Sequence, residues 1–149
     1  MKKFKFRLEP LMQYREFMER RKQLEVAQAR TDVISCEQSI EQIRTTFSDT
    51  TDQLAEDLNQ GIEAARFLRV NAYLSGLESL EEAEKKRHAQ LLGVLARRQK
   101  ELKKKTIEKK AIEKLKLRQK EEYYTGMMKE EQQSLDDIII LRQARSIER

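Results

Sequence analysis

The chain has 149 residues, of which 38% are apolar and 38% charged, with a net charge of +5, no tryptophan, four glycines, one proline and one cysteine. That balance excludes a globule with a thick core and falls where coiled coils lie. No stretch approaches the roughly 20 apolar residues of a membrane span, and a single cysteine cannot close an internal disulfide. The opening Met1–Arg7 is basic but lacks the apolar run of a secretory signal, so the chain reads as cytoplasmic.

From Leu11 to the end there is no proline, and only Gly61, Gly76, Gly93 and Gly126 interrupt residues suited to helix. Proline costs a helix interior about 3 kcal/mol and glycine about 1 relative to alanine, so helices of about fifty residues or more are permitted. In the first half Leu11, Tyr14 and Met18, then Val33, Cys36, Ile40, Ile43, Phe47, Thr50 and Leu54, step by three and four. Such an a/d seam is closed only by another helix. Cys36 sits inside that stripe and reads as a buried small hydrophobe rather than a nucleophile. Leu58, Ala65, Leu68 and Ala72 continue in a shifted phase, as a stutter or turn requires.

Asn59-Gln60-Gly61 and Ser75-Gly76 compete as the turn, and the first is favoured because it lies at the phase shift. The expectation is one coiled-coil domain over 1–149: helix 1 over about 8–58, a turn at about 59–62, and helix 2 over about 63–146. At about 1.5 Å per residue, helix 2 outlasts helix 1 by some 45 Å, leaving a C-terminal overhang. Pro10 suits the first turn of helix 1. The second half carries Leu77, Leu80, Leu91, Leu95, Leu102, Ile112, Leu115, Tyr124, Met127, Ser134, Ile138 and Leu141 in a more broken, more charged pattern. The two seams close most simply on each other, as an all-α, long two-helix antiparallel coiled-coil hairpin, although parallel dimers would also satisfy them.

Three surfaces invite partners. Between Arg97 and Lys120 twelve basic residues, among them Lys103, Lys104, Lys105, Lys109 and Lys110, face three acidic ones. This is a solvated helix face, a docking face for an acidic protein surface, or a phosphate-binding face without the aromatics of nucleic-acid readers. At the ends, Ile138, Ile139, Ile140 and Leu141 point in four directions around a helix, and Phe4, Phe6, Leu8, Leu11, Tyr14 and Phe17 exceed what a two-stranded seam can cover. Each end is either thickened by self-packing or bound by another protein. Third, Tyr73, Leu77, Leu80 and Glu84 form one stripe, which is either free for a partner or part of the seam.

Catalysis finds no footing. His88 is the one histidine and reads as a surface residue among Lys86, Arg87 and Gln90; no metal-ligand cluster or phosphate loop is present, and Glu81, Glu82 and Glu84 read as a solvated acidic face. No cofactor or metal is expected, and no enzymatic activity.

Phe4-x-Phe6-x-Leu8-x-x-Leu11-x-x-Tyr14-Arg15-x-x-x-Glu19, then Asn59-Gln60-Gly61-Ile62 with Phe67, Tyr73-Leu74 and Leu77, then Glu130-Glu131-Gln132-Gln133-Ser134-Leu135-Asp136-Asp137, occur in an order and spacing that resembles the flagellar type III export protein FliJ family over nearly the whole length. The resemblance implies a hairpin similar to the γ-subunit stalk of rotary ATPases. It implies binding in the pore of the hexameric export ATPase FliI, promotion of its assembly and activity, contact with the export gate protein FlhA, and recycling of export chaperones. On this reading Phe4, Phe6, Leu8, Leu11, Tyr14, Leu135, Ile138, Ile139 and Leu141 meet the ATPase, and Tyr73, Leu77, Leu80 and Glu84 meet the gate. The basic collar then lies against acidic loops of the ring. Nucleic acid is not expected, and the membrane is reached only through partners, at the cytoplasmic face of the export apparatus. The alternatives are the equivalent stalk of a virulence-type injectisome and a dimeric coiled-coil scaffold or nucleic-acid-binding protein.

Overall fold

The computed structural model describes residues 3–147, in which α1 spans Glu9–Gln60 and α2 spans Ala64–Ile147. The fold is all-α, two long helices packed against each other, with no strand among the described residues. The chain divides into two units. One, here the hairpin unit, comprises Arg20–Lys103; the other, the terminal unit, comprises Met1–Glu19 with Lys104–Arg149.

In the hairpin unit α1 ends where Gly61 takes φ +89°, a left-handed conformation that a side chain would strain. The Gly61 N–H donates to the Leu58 carbonyl at 3.4 Å, and α2 opens with the Phe67 N–H on the Glu63 carbonyl at 3.0 Å. Ser75 and Gly76 lie inside α2, with Gly76 at ordinary helical φ. The helices run antiparallel: Asp57 pairs with Arg66, Arg44 with Glu81, Glu37 with His88, and Glu25 with Arg98.

Val26, Ala29, Val33, Cys36 and Ile40 are buried at alternating steps of three and four, and Ile43, Phe47, Thr50 and Leu54 continue the row half-buried. The facing row on α2 is Phe67, Val70, Leu74, Leu77, Glu81, Glu84, His88, Leu91, Leu95, Arg98 and Leu102, at the same spacing. A strict heptad therefore runs through α2, but four of these positions carry ionisable side chains. Leu68 and Leu80, expected on seams, are exposed; Phe67 and Glu81 hold the neighbouring inward positions. His88 is likewise not the surface residue that its basic neighbours suggested: it occupies a seam position with Nε2 3.0 Å from Glu37 Oε1.

In the terminal unit the Phe6 carbonyl accepts from the Glu9 N–H and the Leu8 carbonyl from the Met12 N–H, so the segment before α1 folds directly into its first turn. Phe6, Met12 and Glu19 are buried. Glu9 pairs with Lys116, Arg15 with Glu108 and Glu19 with Lys109, again antiparallel. The expected start of the α1 seam, Leu11-Tyr14-Met18, is displaced by one residue: Met12, Arg15 and Glu19 turn inward, while Leu11 and Tyr14 are exposed. Tyr123 and Met127 are the last half-buried side chains on α2, and every side chain from Met128 to Arg145 is exposed.

Candidate functional site

Three helix surfaces are built by the seams that leave them uncovered. In the terminal unit the paired seam is held largely by charge. The Glu19 carboxylate accepts from Lys109 and from the Thr106 hydroxyl at 2.9 Å. The Lys109 hydrogen bond holds its carboxyl below the ordinary value in spite of burial, and the same carboxylate raises Lys109. Glu108 is lowered chiefly by Lys105. Lys105 and Lys109, two of the expected docking lysines, are thus turned into the seam, whereas Lys103, Lys104 and Lys110 are exposed.

The N-terminal candidates divide in the same way. Phe6 is buried, with Lys116 Nζ 5.8 Å from its ring centroid, and Phe4 packs on Tyr123 at 5.7 Å, which in turn meets Tyr124 edge-on. Phe6 and Phe4 therefore secure the segment, Leu8 is half-buried, and Leu11, Tyr14 and Phe17 face solvent. On α2, Leu135, Ile138, Ile139, Ile140 and Leu141 are between 47 and 62% exposed, on all sides of the helix.

In the hairpin unit the Tyr73, Leu77, Leu80, Glu84 stripe straddles the seam edge. Leu77 is buried, and Glu84 turns inward, where its Oε2 accepts from the Cys36 thiol at 3.4 Å; Tyr73 and Leu80 are exposed. Burial pushes the Cys36 thiol up, and Glu84 adds to the shift, so the sulfur stays protonated and unreactive. A polar cluster at Lys22, Glu25, Arg98 and Glu101 completes the unit. The Lys22 hydrogen bonds hold both carboxyls below their ordinary value, and the carboxylates raise Lys22.

The periodicity of apolar residues alone does not reveal the inward charges. Counting threes and fours from Leu74 through Leu77, Leu91, Leu95 and Leu102 lands on Glu81, Glu84, His88, Arg98, Lys105 and Lys109, and that arithmetic is the signal. Among the described residues no group of three or more His, Cys, Asp or Glu could hold a metal, and no helix is long and apolar enough to cross a membrane.

Two helices paired along seams of heptad spacing define a coiled-coil protein. The sequence model of the flagellar FliJ protein matches residues 4–148, and the chain belongs to the FliJ family. It is thereby placed among the components of flagellar type III protein export, a family of non-catalytic export proteins. The fold is similar to a solved structure described as a YscO homolog, CT670, from Chlamydia trachomatis, with TM-score 0.51 and 18% identity over 99% of this chain and 100% of that one. No curated protein matches the chain.

Proposed function

We propose that this chain is the stalk component of flagellar export: it binds the hexameric export ATPase FliI, promotes its assembly and activity, and links it to the export gate FlhA from the cytoplasmic face of the membrane. The observation that carries the reading is the end of α2, where Leu135 and Ile138–Leu141 are exposed on a helix that α1 does not cover. Leu11 and Tyr14 add exposed apolar surface in the same unit, with Phe4, Phe6 and Leu8 fixing the segment that carries them. Tyr73 and Leu80 are the accessible members of the gate surface, with Leu77 and Glu84 as its anchor in the seam.

Lys103, Lys104 and Lys110 supply salt-sensitive docking to an acidic surface, and Lys105 and Lys109 hold the seam. Export chaperones are further partners of the same exposed faces. Coupling is conformational: an asymmetric stalk makes different contacts with successive ATPase subunits and so favours different states in each. The flagellar family match favours this system over the injectisome alternative.

The test is the steady-state activity of the cognate export ATPase with the wild-type chain and with Tyr14→Asp/Ile138→Asp/Leu141→Asp. Stimulation by the wild type that is lost in the variant, at unchanged helix content, is the expected result. Equal stimulation by both, or by neither, contradicts it.

A further inference from the structure

Turned away from the side of α2 that meets α1 in the terminal unit is a second row with the spacing of a seam. Ile107, Lys110, Lys114, Leu117, Glu121, Tyr124, Met128, Glu131, Leu135 and Ile138 alternate steps of three and four without a break, and every one is exposed. A row of that spacing is what one helix offers another in a coiled coil. Lys110, Lys114, Glu121 and Glu131 make no ion pair within the described chain. Basic residues occupy the first part of the row and acidic ones the second.

We infer that this row is an interface for a second copy of the same chain, paired antiparallel about a two-fold axis between Glu122 and Tyr123. In that register Ile107 lies opposite Ile138, Leu117 opposite Met128, Lys114 opposite Glu131, and Glu121 opposite the Tyr124 hydroxyl. Each contact occurs twice by symmetry. The Lys110 stem covers Leu135, with its ammonium beside the acidic half of the partner helix. A parallel pairing in register instead sets Lys110, Lys114, Glu121 and Glu131 each against its own copy, four like-charge layers, so charge selects the antiparallel form. Row and register extend over about 48 Å of helix at 1.5 Å per residue.

The dimer uses Leu135 and Ile138, which the proposed ATPase contact also needs, so self-association and ATPase binding exclude one another. The self-association itself rests on the row alone and is measured without the ATPase, which keeps its failure distinct from failure of the stalk reading.

The experiment is sedimentation velocity of the full chain across concentration, joined to cysteine crosslinking. A reversible dimer is expected; a chain that remains monomeric up to about 200 μM, well above the micromolar range of weak specific pairs, assigns the row to another partner and overturns the inference. Lys114→Glu weakens the dimer at least about tenfold, and Lys114→Glu/Glu131→Lys restores it to within about threefold. Failure of the double variant to recover overturns the register. Because these are exposed surface positions, circular dichroism is expected to show unchanged helix content. Under mild oxidation, Leu117→Cys mixed with Met128→Cys gives at least about ten times more crosslinked dimer than Leu117→Cys alone, since a disulfide forms only between facing positions. Preferential Leu117→Cys self-crosslinking reveals a parallel pair and also overturns it. Native Cys36, being buried, does not compete.

Discussion

The hairpin unit and the terminal unit both carry ion pairs across their seams but differ in what α1 contributes to them. In the hairpin unit five apolar or thiol side chains, Val26 to Ile40, are buried in succession. In the terminal unit the inward row sets half-buried Arg15 between buried Met12 and ion-paired, buried Glu19, and every described side chain of α2 beyond Met127 is exposed. Apolar burial resists solvent whatever the pH, whereas a charged seam depends on both partners staying ionised. The hairpin unit is thus suited to hold shape and the terminal unit to exchange partners.

The sharpest way to break this contrast is to put a charge into each unit. Val33→Asp buries an unpaired carboxylate and is expected to lower stability by about 3 kcal/mol or more in urea titration, whereas Leu135→Asp changes it by no more than about 0.5. Equal effects would erase the distinction between the two regions.

Next in size is Glu19→Ala, which removes the acceptor for Lys109 and Thr106 and is expected to cost about 2 kcal/mol. The pH dependence has a definite sign. Because the folded carboxyl is held below its ordinary value of 4.5, its contribution is fully present above that value and is lost as pH falls through the lower, folded one. Lys109, raised above 10.5, contributes fully below that value and loses its contribution as pH rises through the higher, folded one. The protection factors of residues 9–19 in hydrogen exchange, corrected for the slower intrinsic exchange at lower pH, should therefore fall on acidification before those of residues 26–40. A simultaneous fall in protection would mean that the charged seam is no weaker than the apolar one.

Smaller effects of opposite sign are expected at two glycines of the hairpin unit. A Cβ at Gly93 meets nothing within 4 Å on ordinary helical backbone, so Gly93→Ala should stabilise by about 1 kcal/mol. Gly61→Ala, at φ +89°, should destabilise by about the same amount although its Cβ also meets open space. Thermal melts of the two variants check whether backbone conformation alone decides the sign.

The fold class was legible because helix breakers are few and because Val33–Leu54 repeats apolar residues at seam spacing, a pattern that only a partner helix satisfies. The phase at the start of α1 was not legible. Leu11 and Tyr14 look like seam residues, but the inward positions belong to Met12, Arg15 and Glu19, whose charges are satisfied by Glu108, Thr106 and Lys109 about ninety residues away. Apolar content points to the wrong face wherever a seam is closed by ion pairs. The same limit hid the division of the basic collar: Lys103, Lys104 and Lys110 face out and Lys105 and Lys109 face in, a difference of helical phase rather than of residue type. The uncovered apolar end of α2 was legible, since Ile138–Leu141 surround the helix whatever its rotation.

The central claim is that the exposed surfaces of the terminal unit, rather than the seam of the hairpin unit, engage the export ATPase. Hydrogen exchange of the full chain with and without the cognate ATPase tests it most directly. The account predicts new protection at residues 11–17 and 128–145 with exchange at 26–40 unchanged. Protection confined to the hairpin unit, with 128–145 exchanging as fast as in the free chain, would contradict it.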